Sequence, residues 1–246
     1  MGLRMSPELN RELCTAAARN NATWCDAMAR LHGAAGEFVA AAWINRRPAP
    51  RFYPNLVTLE GPLGVRAHHA ALVQLMQSPP APEWAVKDSF AALDLDRMGF
   101  DLLFEARWIH RPAGAFGAAG AQRVTDEAML AAWEQAWCAG EAEVDGRLFP
   151  PALLREPDHA VVAALQDGVI MGGCIASRSD GVLGISNLFA PVQDDGAVRG
   201  ACLDAATRFA PNMPLVGYEH GDSLARMKQL GFDAIGALRV WQAARD

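Results

Sequence analysis

The residues best suited to chemistry lie in the last quarter of the chain. Gln193-Asp194-Asp195-Gly196-Ala197-Val198 separates an apolar run ending at Ala190 from a helical pattern over residues 197–209. Successive backbone N–H groups at a helix start form a concave, electropositive nest that suits a pyrophosphate, and a glycine there lets the anion approach. Further on, Tyr218, Glu219 and His220 close a second apolar run, residues 215–219. A phenol, a carboxylate and an imidazole at a strand end can donate, accept or pass on a proton.

Other reactive side chains offer less. His68 and His69 are adjacent in a helical pattern, so they point to different faces and do not form a joint metal site. No Cys-x-x-Cys or His-Glu-x-x-His spacing occurs, and no metal is expected. Ser186 and Cys174 sit in strand patterns without a histidine partner. The plain role of Asp194 and Asp195 is to cap the helix and complement its dipole. In the first half, Glu60-Gly61-Pro62-Leu63-Gly64-Val65-Arg66 follows a strand pattern. Gly61 and Gly64 permit an anion nest there, although Pro62 removes one N–H. Arg46, Arg47 and Arg51 give this half the better local charge.

Periodicity and breakers predict the elements that position these residues. A helix runs from the Ser6 cap and Pro7 to about Arg19, and a second from a fresh cap at Asn20–Thr23 to Leu31. Strands are expected at 37–44, 55–59, 84–86 and 102–109, and helices at 65–77 and 89–98. In the second half a helix at 125–138 and a polar loop at 140–147 precede three strands, 159–166, 169–177 and 182–190. Asp167-Gly168 and Ser179-Asp180-Gly181 mark tight turns between those strands. A helix at 197–209, a strand at 215–219, a helix at 222–230 and a strand to Trp241 complete the pattern.

The sequence of 246 residues is half apolar, enough for one large domain or two ordinary ones. Its longest apolar runs are strand-sized, so no membrane span is expected. Gly2 and Ser6 fit the N-myristoylation pattern, a short one that arises often by chance. Five dispersed cysteines in apolar surroundings favour reduced thiols and a cytoplasmic protein. The formal charge of −6 is uneven. Residues 1–122 hold 12 Lys and Arg against 11 Asp and Glu, whereas residues 123–246 hold 10 against 17. Nucleic acid is therefore not an expected partner, and the same excess weighs against tight binding of an anionic cofactor.

Asn55 precedes Gly99 of a Gly-Phe-Asp triplet by 44 residues, and Asn187 precedes Gly231 of another by the same 44. Both intervals read strand, loop, helix, strand, helix, which indicates an internal repeat. The order of elements, with Gln193-x-x-Gly196-x-Val198 and Leu230-Gly231-Phe232, resembles the GNAT (acyl-CoA N-acyltransferase) superfamily over roughly residues 148–241. That family's loop reads Gln or Arg, two residues, Gly, one residue, then Gly or Ala. Val198 departs from it.

The resemblance implies an α/β (α+β) fold of mixed, mostly antiparallel sheets flanked by helices, in two tandem units. These are residues 1–112, a diverged unit, and 123–246, joined by a linker at 113–122. It further implies that Leu188, Phe189 and Ala190 end a splayed strand whose backbone holds a pantetheine arm and polarises a thioester. Gln193, Gly196, Ala197 and Val198 would form the pyrophosphate loop for acetyl-CoA, and a small amine would accept the acyl group. Family members often protonate the thiolate with a Tyr four residues before the Gly of the Gly-Phe pair, where this chain has Met227. Glu219, Tyr218 and His220 become the catalytic candidates, with Glu219 as base. A module that kept the fold and lost catalysis is the alternative, and a homo-oligomer is compatible with either. Free N–H groups at 196–198 beside an open cleft would favour the enzyme, and a side chain plugging that place would favour the module. An unrelated nucleotide-binding fold ranks last, because neither Gly-x-Gly-x-x-Gly nor a P-loop pattern occurs.

Overall fold

A computed structural model describes residues 6–138, 147–194 and 196–244. Gly2, Asp195 and all of the expected polar loop except Arg147 lie outside the described residues. In chain order the elements are α1 (Pro7–Leu31), β1 (Glu37–Val39), β2 (Ala42–Ile44), β3 (Leu56–Thr58), α2 (Val65–Gln77), β4 (Ala85–Asp88), β5 (Phe100–Arg111), β6 (Ala121–Arg123), α3 (Glu127–Trp137), β7 (His159–Gln166), β8 (Val169–Ser179), β9 (Val182–Phe189), α4 (Ala197–Phe209), β10 (Leu215–Glu219), α5 (Gly221–Gln229) and β11 (Asp233–Ala243).

Helix α1 starts as its sequence dictates, with Leu9 N donating to Ser6 Oγ at 3.2 Å and Pro7 in the first turn. The break expected at Asn20–Thr23 is absent. Asn20 is buried, Asn21 accepts from Lys87, and Thr23 donates to the Arg19 carbonyl at 3.1 Å. These polar side chains find partners that leave the helical backbone intact, while Ala17, Ala18, Ala22 and Met28 bury one face. The single strand expected at 37–44 is instead a hairpin, with Val39 paired to Ala42. The helix expected at 89–98 does not form either. The Asp88 carboxylate accepts from Phe90 N at 3.3 Å and Leu93 N at 2.8 Å, and Ala91 takes φ 49, so only a 3₁₀ turn at Asp96–Met98 remains.

The chain forms two compact units. The first comprises Met1–Ile109, Tyr218–Gly221 and Ala234–Asp246, so the units are interleaved in sequence where contiguous halves were expected. The reason is pairing: β11 lies antiparallel to β4, with Val240 opposite Lys87 and Gln242 opposite Ala85. Strand order in this unit is β1-β2-β3-β4-β11-β5. Period-two alternation sends Leu56, Val86 and Trp241 to one face, where they pack with Leu72 and Leu75 of α2. Val57 and Trp43 turn to the other face, against Ala22, Cys25 and Ala29 of α1.

The second unit comprises His110–Gly217 and Asp222–Asp233, with strand order β10-β9-β8-β7-β6. The segment expected as a linker belongs to it: Phe116 N and Gly117 N both donate to Asp204 of α4. The β7–β8 and β8–β9 turns carry positive φ at Asp167, Gly168, Asp180 and Gly181, matching the right-handed twist of their strands. Helix α3 starts with Met129 N donating to Asp126 at 2.8 Å and lays Trp133 on β8. A Cβ on Gly173 would stand 2.0 Å from Trp133 Nε1, so the indole rests where only glycine leaves room.

The repeat is visible as strand, helix, parallel strand in both units. Leu56 pairs with Val86 across α2, and Leu183 pairs with Leu215 across α4. It fails at the second helix, present as α5 in one case and replaced by the Asp88 turn in the other.

Candidate functional site

The end of β9 is shaped by a bulge. Ile175 pairs with Ser186 and Gly173 with Phe189, so β9 carries one residue more than β8 over this stretch. Asn187, at φ 52, absorbs the excess. Strand β9 pairs with β10 at Leu183 and Gly184 and then runs on to Phe189. Leu188, Phe189 and Ala190 are all half-buried. The Phe189 ring meets Trp133 edge-on at 5.4 Å, which commits its side chain to α3. A Cβ on Gly172 would lie 2.5 Å from Val198 Cγ1 and 2.6 Å from the Phe189 carbonyl oxygen. Val198 therefore packs over Gly172 of β8, filling room that Gly or Ala would leave.

Helix α4 begins at Gly196, whose φ of 105 belongs to the left-handed region that glycine reaches without strain. Gln193 and Ala197 are exposed. Asp194 controls the site. Val198 N donates to its Oδ1 at 3.0 Å, Arg199 N to its Oδ2 at 3.3 Å, and the Arg199 guanidinium to Oδ2 at 2.9 Å. The two side chains are only 2% and 9% exposed. Burial pushes the Asp194 carboxyl up, but amide hydrogen bonds from Val198, Arg199 and Gly196, together with the guanidinium, outweigh it and hold the group below its ordinary value. A pyrophosphate needs amide protons that are still available. These are spent on an internal carboxylate, so the loop does not fit that anion while Asp194 stays in place.

The three proton-transfer candidates belong to the first unit, whereas the loop residues belong to the second. Tyr218 packs edge-on against Trp108 at 5.6 Å, and its hydroxyl accepts from Lys87 Nζ at 3.2 Å. Glu219 is half-buried. His220 is exposed and stacks on Phe104 at 5.4 Å. Met227, at the position of the family's tyrosine, is buried and offers no acidic proton.

Two important residues escaped the sequence reading, Arg199 and Lys87. Arg199 lies five residues after Asp194, which precedes the helix, so the pair lacks the i,i+3 or i,i+4 spacing that marks a helix-surface ion pair in sequence. Lys87 is a single cation in a strand, and nothing near it in sequence marks it.

No family model and no curated protein matches the sequence. Solved structures do match. The chain is similar to a GCN5-related N-acetyltransferase from Kribbella flavida, at 14% identity and TM-score 0.62, over 92% of this chain and 95% of the other. It is similar to a protein from Novosphingobium aromaticivorans assigned to the GNAT acetyltransferases, at 12% identity and TM-score 0.59, over 98% and 100% of the two chains. A functionally unknown protein from Staphylococcus epidermidis matches at 9% identity and TM-score 0.55, over 83% and 84%. At such identities the likeness establishes architecture: the chain has the GNAT acetyltransferase fold, with mixed sheets flanked by helices.

Proposed function

We propose that this chain is a ligand-binding module of GNAT fold whose coenzyme A phosphate seat is closed by its own Asp194. The supporting observation is the hydrogen bonding of that carboxylate to the Val198 and Arg199 amides, with Arg199 as counter-ion. An arriving pyrophosphate would have to displace a buried, fully partnered carboxylate, which costs several kcal/mol by the usual measure of breaking a buried pair. Val198 and Met227 point the same way, one narrowing the loop and the other lacking a proton to give.

Acyl transfer from acetyl-CoA to a small amine is the second reading, favoured by the bulged end of β9. In that reaction the amine nitrogen attacks the thioester carbon and an N–H near Leu188 or Phe189 stabilises the oxyanion. Water takes the amine proton, and the departing thiolate receives a proton from solvent. Five unbridged cysteines accord with a reducing, cytoplasmic location for either reading.

Calorimetric titration with acetyl-CoA separates the two. The module reading expects no heat from the native chain and measurable binding by Asp194→Ala, which frees the amides and leaves Arg199 unpaired. Micromolar binding by the native chain, abolished in Gly196→Glu, would overturn it and restore the transferase.

A further inference from the structure

We propose that the first unit carries a binding site for a small carboxylate with an apolar, aromatic body, held by Lys87. This inference is independent of whether the second unit binds acetyl-CoA. Lys87 is 4% exposed, and its ammonium contacts neutral partners alone: Asn21 Oδ1 at 2.8 Å, the Tyr218 hydroxyl at 3.2 Å and the face of the Tyr218 ring at 4.3 Å. Among the described residues, no carboxylate lies within ion-pair distance of it. An ammonium carries three N–H donors, and the two oxygens leave the third available. Removing a charge from water without an opposite charge is expensive, so a buried cation left this way is a strong anchor for an incoming anion.

Lys87 does not face packed protein. It lines a cavity of about 570 Å³, within the size range of small-molecule sites. The same alternation that sends Val86 and Trp241 into the core places Ala85, Lys87, Val240 and Gln242 on this opposite face as a paired floor. Phe52, Tyr53 and Phe104 supply an aromatic wall. Phe52 is 58% exposed at φ 71, a conformation uncommon outside glycine, with the Arg51 guanidinium 4.6 Å from its ring. Arg51 is a second cation at this cavity, and Glu83 is the one acid among the described residues on its wall. The balance is net positive and the walls are aromatic. One carboxylate on a flat apolar body satisfies both, whereas a cationic amine, though it could stack on the rings, would meet the like charges of Lys87 and Arg51.

The test uses phenylacetate as probe, with phenylacetamide and inorganic phosphate as controls. Binding is followed by chemical-shift mapping of the native chain and of Lys87→Met, with thermal unfolding to verify folding. The site expects saturable millimolar or tighter binding of phenylacetate with shifts at Lys87, Tyr218 and Phe104. The amide should bind at least about tenfold more weakly, as follows from losing a charge-assisted hydrogen bond. Lys87→Met should lose the discrimination between acid and amide. Should that variant unfold, Phe52→Ala, at an exposed position, must weaken phenylacetate severalfold while the fold persists. The proposal is overturned if phenylacetate causes no shifts at these residues, if acid and amide bind equally, or if phosphate alone reproduces the shifts.

Discussion

Arg199 at the start of α4 and Lys87 on β4 are both buried cations, 7% and 4% exposed, yet the protein treats them in opposite ways. Arg199 is matched by a carboxylate at 2.9 Å that is itself tied down by backbone amides, so charge, dipole and hydrogen bonds cancel locally. Lys87 receives only an amide oxygen, a phenol and an aromatic face, and it opens onto a cavity. A compensated charge is a structural fixture. One left uncompensated beside a cavity is prepared for something not supplied by the chain. The contrast locates the ligand site in the first unit rather than the second. In the second unit the anion site predicted from the loop is already filled from within, and in the first unit the cation stands ready for an anion from outside.

Asp194→Ala is the severest break of this contrast. It leaves Arg199 buried without its counter-ion and the start of α4 without its cap, and truncating one partner of such a pair costs about 3–5 kcal/mol. Urea unfolding should show the midpoint falling by a matching amount with the slope unchanged. A loss under about 1 kcal/mol, the value for a solvent-screened surface pair, would mean that Asp194 is not the closed lock described here.

Lys87→Met should cost less, because no buried carboxylate is orphaned and a straight apolar chain of similar length takes the place. The change removes a buried charge but leaves Asn21 Oδ1 without its donor, so a loss of about 1–3 kcal/mol at most is expected in the same assay. If Lys87→Met proves as damaging as Asp194→Ala, Lys87 is a structural fixture after all and the contrast between the units disappears.

How far the sequence foresaw this differs between the two units. Residues 197–209, 215–219 and 159–166 have the limits read from their patterns, because apolar spacing and the Asp-Gly turns agree with the tertiary structure. Asp194 as a helix cap was legible for the same reason, since an acid just before a helix start has one short-range role to play. The failures came where side chains answered to distant partners. Asn21 reads as a helix breaker until Lys87, 66 residues away, takes its oxygen. Residues 89–98 read as a helix until Asp88 claims the amides of Phe90 and Leu93. Lys87 became interesting through partners 66 and 131 residues away, a relation that local spacing cannot encode.

Acidification should act on the two cations unequally, with the smallest effect of the three. The folded-state pKa of Asp194 lies below its ordinary value, so its contribution is present above the unfolded carboxylate pKa of about 4 and is lost as pH falls through the folded value. The neighbouring thiol of Cys202 does not confuse this window, because burial and the Asp194 charge push it up to about 12, and it stays neutral. Amide hydrogen exchange at Val198 and Arg199 should therefore be flat from neutrality down to about pH 4 and quicken below it, relative to other amides of α4. Asp194→Asn should remove that step, since its side chain can still accept a hydrogen bond but cannot titrate. Among the described residues Lys87 has no carboxylate partner to protonate, so the amides around it, apart from those of Phe90 and Leu93 that Asp88 holds, should show no corresponding step. An acid-dependent step at Lys87 together with none at Val198 would reverse the roles assigned to the two cations.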